Sequence, residues 1–362
     1  MFSPDDERHM TRALMLAARG LYTTAPNPRV GCVLVKGGHV IGEGWHERAG
    51  GPHAEVLALA AAREPVHGAT AYVTLEPCAH HGRTPPCANA LVEARVARVV
   101  AAMEDPNPLV SGQGFAILKA AGVEVASGLL QAEAEEVNIG FASRMRRGRP
   151  WVRMKIAASL DGRTALSNGQ SRWITGEAAR RDGHRWRARA CAVLTGIGTV
   201  KEDNPQLTVR GVRTPRQPLR IVVDSRLETP LGAKVLGAGT LIAAASRDEA
   251  RTQALQERGA QVTICPNAAG KVDLAELMRE LGRRELNEIH VEAGYKLNGS
   301  LLAAGLVDEL LIYFGPHILG DAARGMFHLP ALEDLAGRHS FEVREVRRIG
   351  EDVRIIARRT ET

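Results

Sequence analysis

Residues 51–87, GPHAEVLALAAAREPVHGATAYVTLEPCAHHGRTPPC, decide how the first half of this chain is read. They hold three side chains of metal-ligand type, His53, Cys78 and Cys87. One imidazole and two thiolates leave a tetrahedral zinc with its fourth position open to water, which is the arrangement of a catalytic site. Glu55, two residues beyond His53, is a carboxylate placed to carry protons without binding the metal. The Ala-rich run 54–63 predicts a helix that His53 opens, and alternation over 69–75 predicts a strand. Pro85 and Pro86 stand where the first turn of a second helix, near Cys87, tolerates proline. Thiolates near such helix starts gain from unpaired backbone donors and the helix dipole.

Each residue alone has a plainer reading. A His-Ala-Glu usually marks a surface helix start, and either cysteine alone is more often a small buried hydrophobe. Together and in order they match the ligand set and proton carrier of the zinc base deaminases. The departure is the spacing, since eight residues, 79–86, separate the cysteines where the generic signature has two.

The long cysteine loop is also where a family resemblance enters. TLEPCAHHGRTPPC, with APNPRVGCVLV before it and HAE between them, resembles the N-terminal half of the bifunctional riboflavin-biosynthesis deaminase/reductase family. KIAASLDGRTA, SRWIT, DNPQLTVR and VEAGYKLNGSLL resemble its reductase half, so the resemblance runs over nearly the whole chain. It implies an α/β protein with a cytidine-deaminase-like three-layer domain over 1–147 and a dihydrofolate-reductase-like domain over 148–362. It also implies Zn2+ and NADPH as cofactors, and two reactions. The first is hydrolytic deamination of a phosphoribosylamino-diaminopyrimidinone, with Glu55 moving the protons; the second is reduction of the ribosyl group to ribityl.

Carried over position by position, the resemblance assigns Asn27, His46, His80 and Arg83 to the deaminase substrate, Arg83 suiting its phosphate with a planar fork of donors. His81 is open to either reading. In the second half Ala157, Trp173, Thr199, Asp203, Ser225 and the run Gly294, Tyr295, Lys296, Leu297, Asn298, Gly299 and Ser300 match cofactor positions. Ser171, Arg187, Leu207, Arg210 and Glu292 match substrate positions. Tyr295 departs from the family, which commonly has proline after this glycine.

Working outward, residues 3–20 read as an amphipathic helix, and 30–36 with 39–45 as a hairpin about Gly37-Gly38. Asn27 and His46 flank that hairpin; an Asn before proline is by itself a common turn former. Further alternation of strands and helices to residue 141 predicts a sheet covered on both faces. RMRRGRP, 144–150, reads as a solvated basic linker. Beyond it come strands near 192–195, 219–223, 240–244, 261–264, 288–292 and 309–314, with turns at GIGTVKEDNPQLTVR, VDSR and EAGYKLNGS. No G-x-G-x-x-G occurs there, since Lys201 stands where the third glycine belongs, so a Rossmann fingerprint fails.

Composition bounds the partners. The 362 residues suffice for two domains, and 44% hydrophobic with 24% charged residues describes a soluble globular protein with no membrane-spanning run. Residues 1–10, MFSPDDERHM, lack a secretory layout, and five cysteines, odd in number and partly committed to metal, suit a reducing cytoplasm. A net charge of +6 with only 4% aromatics favours phosphorylated small molecules over a nucleic-acid strand, and the resemblance implies that the partner is a phosphorylated pyrimidine. Two alternatives are set beside this: a nucleic-acid base deaminase with a C-terminal RNA-binding domain, and a zinc module in which metal only holds the fold. Homo-oligomerisation is left open.

Overall fold

A computed structural model describes residues 2–79 and 86–360, and the chain divides between Gly148 and Arg149 into two compact units. The first runs α1 (Pro4–Arg19), β1 (Gly31–Lys36), β2 (His39–Trp45), α2 (Ala54–Ala60), β3 (Thr70–Val73), α3 (Cys87–Glu93), β4 (Arg98–Ala101), α4 (Gln113–Ala120), β5 (Glu124–Ser127), α5 (Gln131–Val137) and α6 (Ile139–Arg147). α1 starts where the acids predict it, with Ser3 and Asp6 closing a capping box.

The five strands are ordered β2-β1-β3-β4-β5, antiparallel as far as β3 and parallel beyond. Strand alternation sorts the core into two layers. Cys32, Leu34, Ala71, Val73 and Val99 pack against Ala54, Ala58, Ala88, Leu91 and Leu118 of α2, α3 and α4. On the other face Val33, Val35, Tyr72 and Val100 meet Met10, Ala13 and Leu14 of α1 and Ala134 of α5. The sheet is therefore the middle of three layers. Gly44 lets α2 lie directly on β2, because a Cβ there would sit 2.4 Å from the carbonyl of Ala54.

The second unit runs β6 (Trp151–Ser159), β7 (Arg163–Ala165), α7 (Glu177–Arg189), β8 (Ala192–Gly196), α8 (Ile197–Asp203), β9 (Leu219–Val223), β10 (Thr240–Ala244), α9 (Glu249–Glu257), β11 (Ala260–Ile264), α10 (Leu274–Arg283), β12 (Glu288–Val291), α11 (Tyr295–Ala303), β13 (Glu309–Gly315), β14 (Arg324–Gly325), β15 (Phe341–Ile349) and β16 (Asp352–Arg359). Its large sheet is ordered β11-β10-β9-β8-β12-β6-β13-β16-β15. The strands are parallel through β13, then close with an antiparallel hairpin. β7 and β14 form a small separate ladder.

Three readings change. RMRR is not linker but the last turn of α6, where Arg144 reaches the carbonyl of Pro26 and Arg147 the hydroxyl of Ser143. GIGTVKED is not a turn but β8 running into α8; its glycines sit at the helix start, and the left-handed Asn204 ends it. The helix after His53 stops at Ala60, short of Arg63.

Candidate active sites

In the first unit, the ends of β2 and β3 and the starts of α2 and α3 converge. His53 is the N-cap of α2, Cys78 follows β3, and Cys87 is the first residue of α3. His53 Nδ1 lies 3.2 Å from Cys87 Sγ and 3.5 Å from Cys78 Sγ. All three ligand atoms fall within 4.8 Å of one another. A tetrahedral zinc with bonds of ~2.1 Å to nitrogen and ~2.3 Å to sulfur needs ligand atoms roughly 3.5–3.8 Å apart, so the donor set fits that ion in spacing and softness.

The thiols divide the charge unequally. Hydrogen bonds from Cys87 and His53 hold the Cys78 thiol down, whereas Cys87 is pushed up by its contact with Cys78 and by burial. The N–H of Cys87 donates to Cys78 Sγ at 3.3 Å, so the start of α3 serves Cys78 and not its own residue. Glu55 stands beside both sulfurs, only 3% exposed, and burial followed by the Cys78 charge pushes its carboxyl up to about 7. That is the range in which a carboxylic acid both takes and returns protons near neutral pH.

Asn27 and His46 meet across the hairpin ends, Nδ2 to Nε2 at 3.1 Å. His46 Nδ1 faces the carbonyl of Pro52 at 3.0 Å, which puts the ring proton on Nδ1 and leaves Nε2 to accept from Asn27. Burial holds His46 below its ordinary pKa, keeping it neutral. The loop bearing Asn27 is fixed by Asn138, between α5 and α6, whose amide exchanges two hydrogen bonds with the backbone of Arg29 at 2.7 and 2.9 Å. His80 and Arg83 lie outside the described residues.

Glu76 is the residue that sequence reasoning passed over here. Its buried carboxylate accepts from the N–H groups of Asp105, Gly112, Gly114 and Phe115, pinning the start of α4 beside the ligand Cys78. The Leu-Glu-Pro-Cys string was the signal, because a carboxylate next to a ligand must have a partner if it is buried.

The second unit holds a cleft of about 1100 Å3 outside the carboxyl ends of β6, β8 and β12. Ala157, Ser171, Trp173, Arg187, Thr199, Asp203, Leu207, Arg210, Glu292, Gly294, Tyr295, Lys296, Leu297 and Asn298 line it. Ser225, Gly299 and Ser300 do not. Ser225 ends the β9 turn and accepts from the N–H of Val272, and Ser300 bonds back to the carbonyl of Lys296. A Cβ on Gly299 would lie 2.0 Å from the carbonyl of His328, so glycine serves packing there. Tyr295 is the first residue of α11, a position that proline also fits, so its departure leaves the turn intact.

Among the lining residues eight are Lys or Arg and three are Asp or Glu, a surplus that suits phosphate groups. α11 begins at the cleft with Gly294 as N-cap and no side-chain cap, leaving backbone donors free for an anion. Arg187 grips Glu292 with its fork, Nη2 to Oε2 at 2.8 Å and Nε to Oε1, and bonds the carbonyl of Thr208 at 2.9 Å. Within HRWRAR, Arg187 thus faces the cleft and Trp186 carries Arg153 stacked 4.4 Å over its ring, while Arg185 is exposed. Trp173 is 68% exposed at the cleft, with Arg180 stacked 4.4 Å over its ring. Lys155 was not foreseen: half-buried, it lines the cleft with no hydrogen bond or ion pair among the described residues, and burial pushes its ammonium down.

Comparison with known proteins finds relatives of both units. Residues 3–103 match the model of the cytidine and deoxycytidylate deaminase zinc-binding region, and residues 150–355 that of the RibD C-terminal domain. The riboflavin biosynthesis protein RibD of Escherichia coli is 50% identical over 96% of this chain and 98% of its own, and that of Haemophilus influenzae 47% identical over 98% and 97%. The solved RibD of Acinetobacter baumannii, 45% identical, superposes with a TM-score of 0.92 over 99% of both chains. A Thermotoga maritima diaminohydroxyphosphoribosylaminopyrimidine deaminase/5-amino-6-(5-phosphoribosylamino)uracil reductase, 33% identical, gives 0.86 over 98% of this chain and 99% of its own. With a zinc-deaminase unit followed by a reductase unit, each carrying the fold expected of it, the chain belongs to the RibD family of bifunctional deaminase/reductases in riboflavin biosynthesis.

Proposed function

We propose that the first unit deaminates a diaminohydroxyphosphoribosylaminopyrimidine and that the second reduces the product, 5-amino-6-(5-phosphoribosylamino)uracil, with NADPH. The observation that carries the first step is the His53, Cys78, Cys87 set with Glu55 against it. Zinc held there supplies a Lewis acid that brings the pKa of water to ~7. Glu55 takes a proton from the attacking water and delivers it to the departing amine, so that the ring C–N bond breaks, a carbonyl forms and ammonia leaves. Asn27 and neutral His46 hold the pyrimidine edge, and the loop carrying His80 and Arg83 is assigned to its phosphate.

In the second unit the nicotinamide cofactor supplies the hydride when bound. The start of α11, with Thr199 near it, holds the cofactor's diphosphate, and Trp173 offers a ring face at the mouth. Glu292, fixed by Arg187, accepts from the sugar hydroxyls, and Lys155 offers a proton donor to a substrate oxygen or nitrogen. Ser171, Leu207 and Arg210 complete the substrate wall; Ala157, Asp203 and residues 294–298 are assigned to the cofactor. Five free cysteines, two of them in a ligand set, suit a reducing cytoplasm.

The test uses the purified protein and the diaminopyrimidine, with and without NADPH. Ammonia should appear in both arms, and cofactor absorbance should fall only after it. Cofactor oxidation without ammonia release would refute this order.

A further inference from the structure

We propose that His290 is a positioning residue for the carboxylate of Glu292, steadying it from behind while Arg187 grips it from the side. The inference rests on the reading of this cleft as the reductase site. β12 alternates, so Glu288, His290 and Glu292 share one face while Ile289 and Val291 occupy the other. In register His290 lies opposite Arg153 of β6 and Val193 of β8. Its side chain has no exposure, and Nε2 is 3.3 Å from Oε1 of Glu292. Neither ring nitrogen has a hydrogen-bond partner of good geometry among the described residues, so the approach to Oε1 is a close contact and not a formed hydrogen bond.

A fully buried strand position is most simply filled by an apolar side chain, which leaves no ring nitrogen without a partner. Here the polar atom that Nε2 approaches belongs to a carboxylate that lines the cleft. Burial and the cations Arg187 and Arg153 hold the imidazole neutral, so toward the carboxylate 3.3 Å away it can act only as an N–H donor, through Nε2. The Glu292 backbone is already pinned, its N–H to the carbonyl of Leu194 at 2.8 Å and its carbonyl by Thr195 Oγ1 at 2.7 Å. The terminal torsion of a carboxyl is broad by itself; here the Arg187 fork holds both oxygens, and Nε2 of His290 backs Oε1 from within the sheet.

The test is a double-mutant cycle in the full chain. His290→Leu, Glu292→Gln and the pair are compared for reductase kcat/KM on the deaminated substrate, with NADPH affinity and deaminase activity as controls. The expected result is a loss of about tenfold for His290→Leu, carried by KM for the pyrimidine, with both controls unchanged. In the Glu292→Gln background the same substitution should cost little, and His290→Gln, which keeps an N–H donor, should recover most of the loss. An equal loss in both backgrounds, or none in either, would overturn the proposal. If Glu292→Gln itself leaves the reductase intact, the reading of the cleft falls, and the inference with it. Should leucine abolish NADPH binding, so that the unit no longer folds, His290→Asn replaces it in the same cycle.

Discussion

The two sites of this chain distribute their chemistry in opposite ways. In the deaminase unit four side chains within a short stretch supply ligands and proton carrier, and burial tunes one carboxyl to about 7. In the reductase unit the cleft is lined by residues from Lys155 to Arg324, with eight Lys or Arg against three Asp or Glu. A reaction whose reagents are water and protons needs the protein's own titratable groups, whereas one whose reagent arrives on a cofactor needs orientation and charge. Perturbing one residue should therefore be catastrophic in the first unit and graded in the second.

Glu55→Gln is the sharpest way to break that contrast. Deamination should fall by about 10³-fold with zinc content and reductase rate unchanged, measured by ammonia release, metal analysis and cofactor oxidation on the same sample. A loss of zinc would instead make Glu55 part of the metal site. Arg187→Met comes next. It leaves the Glu292 carboxylate buried without its guanidinium, and should cost on the order of 3 kcal/mol in the unfolding of the second unit, read by denaturant titration, together with a raised KM for the pyrimidine.

Glu76→Gln separates structural from chemical carboxylates within one motif. Replacing an acceptor of four backbone N–H groups by an amide should destabilise the first unit by about 2 kcal/mol, seen as an earlier midpoint in urea, while zinc-loaded protein keeps its kcat. The smallest effect concerns His184, which lines the cleft. Burial and then Arg187 and Arg210 lower its pKa from 6.5 to about 4. Below pH 6.5 the unfolded chain binds a proton that the folded one refuses, so stability is lost as the pH falls toward 4. His184→Gln should flatten that part of the acid limb of the unfolding curve and leave the neutral plateau in place.

How much of this the sequence disclosed follows from the same contrast. Zinc restricts its ligands to a few residue types, so His53, Cys78 and Cys87 stood out by identity, and hydrophobic alternation placed the strands that carry them. The cleft residues are ordinary types far apart in the chain, and only family resemblance singled them out. Lys155 did leave a mark: with Arg153 it breaks into a strand whose other residues from Trp151 to Ala158 are apolar, and a charge there needs a reason. The basic run before residue 148 misled because arginines that look solvated can cap carbonyls and hydroxyls of their own unit. The final hairpin, FEVREVRRI and DVRIIARR about Gly350, went unread because a register shift between Val343 and Glu345 breaks the period of two, though a left-handed glycine at φ 65° marks its turn. No sequence pattern announces Asn138, since its role depends on Arg29, more than a hundred residues away in the chain.

The most direct measurement is to strip divalent metal with a chelator and follow both activities in one preparation, then add zinc back. The account predicts that ammonia release vanishes and returns with zinc, in proportion to one ion per chain, while reduction of the already deaminated substrate proceeds throughout. If both activities disappear together, or neither does, the assignment of metal chemistry to His53, Cys78, Cys87 and Glu55 alone is contradicted.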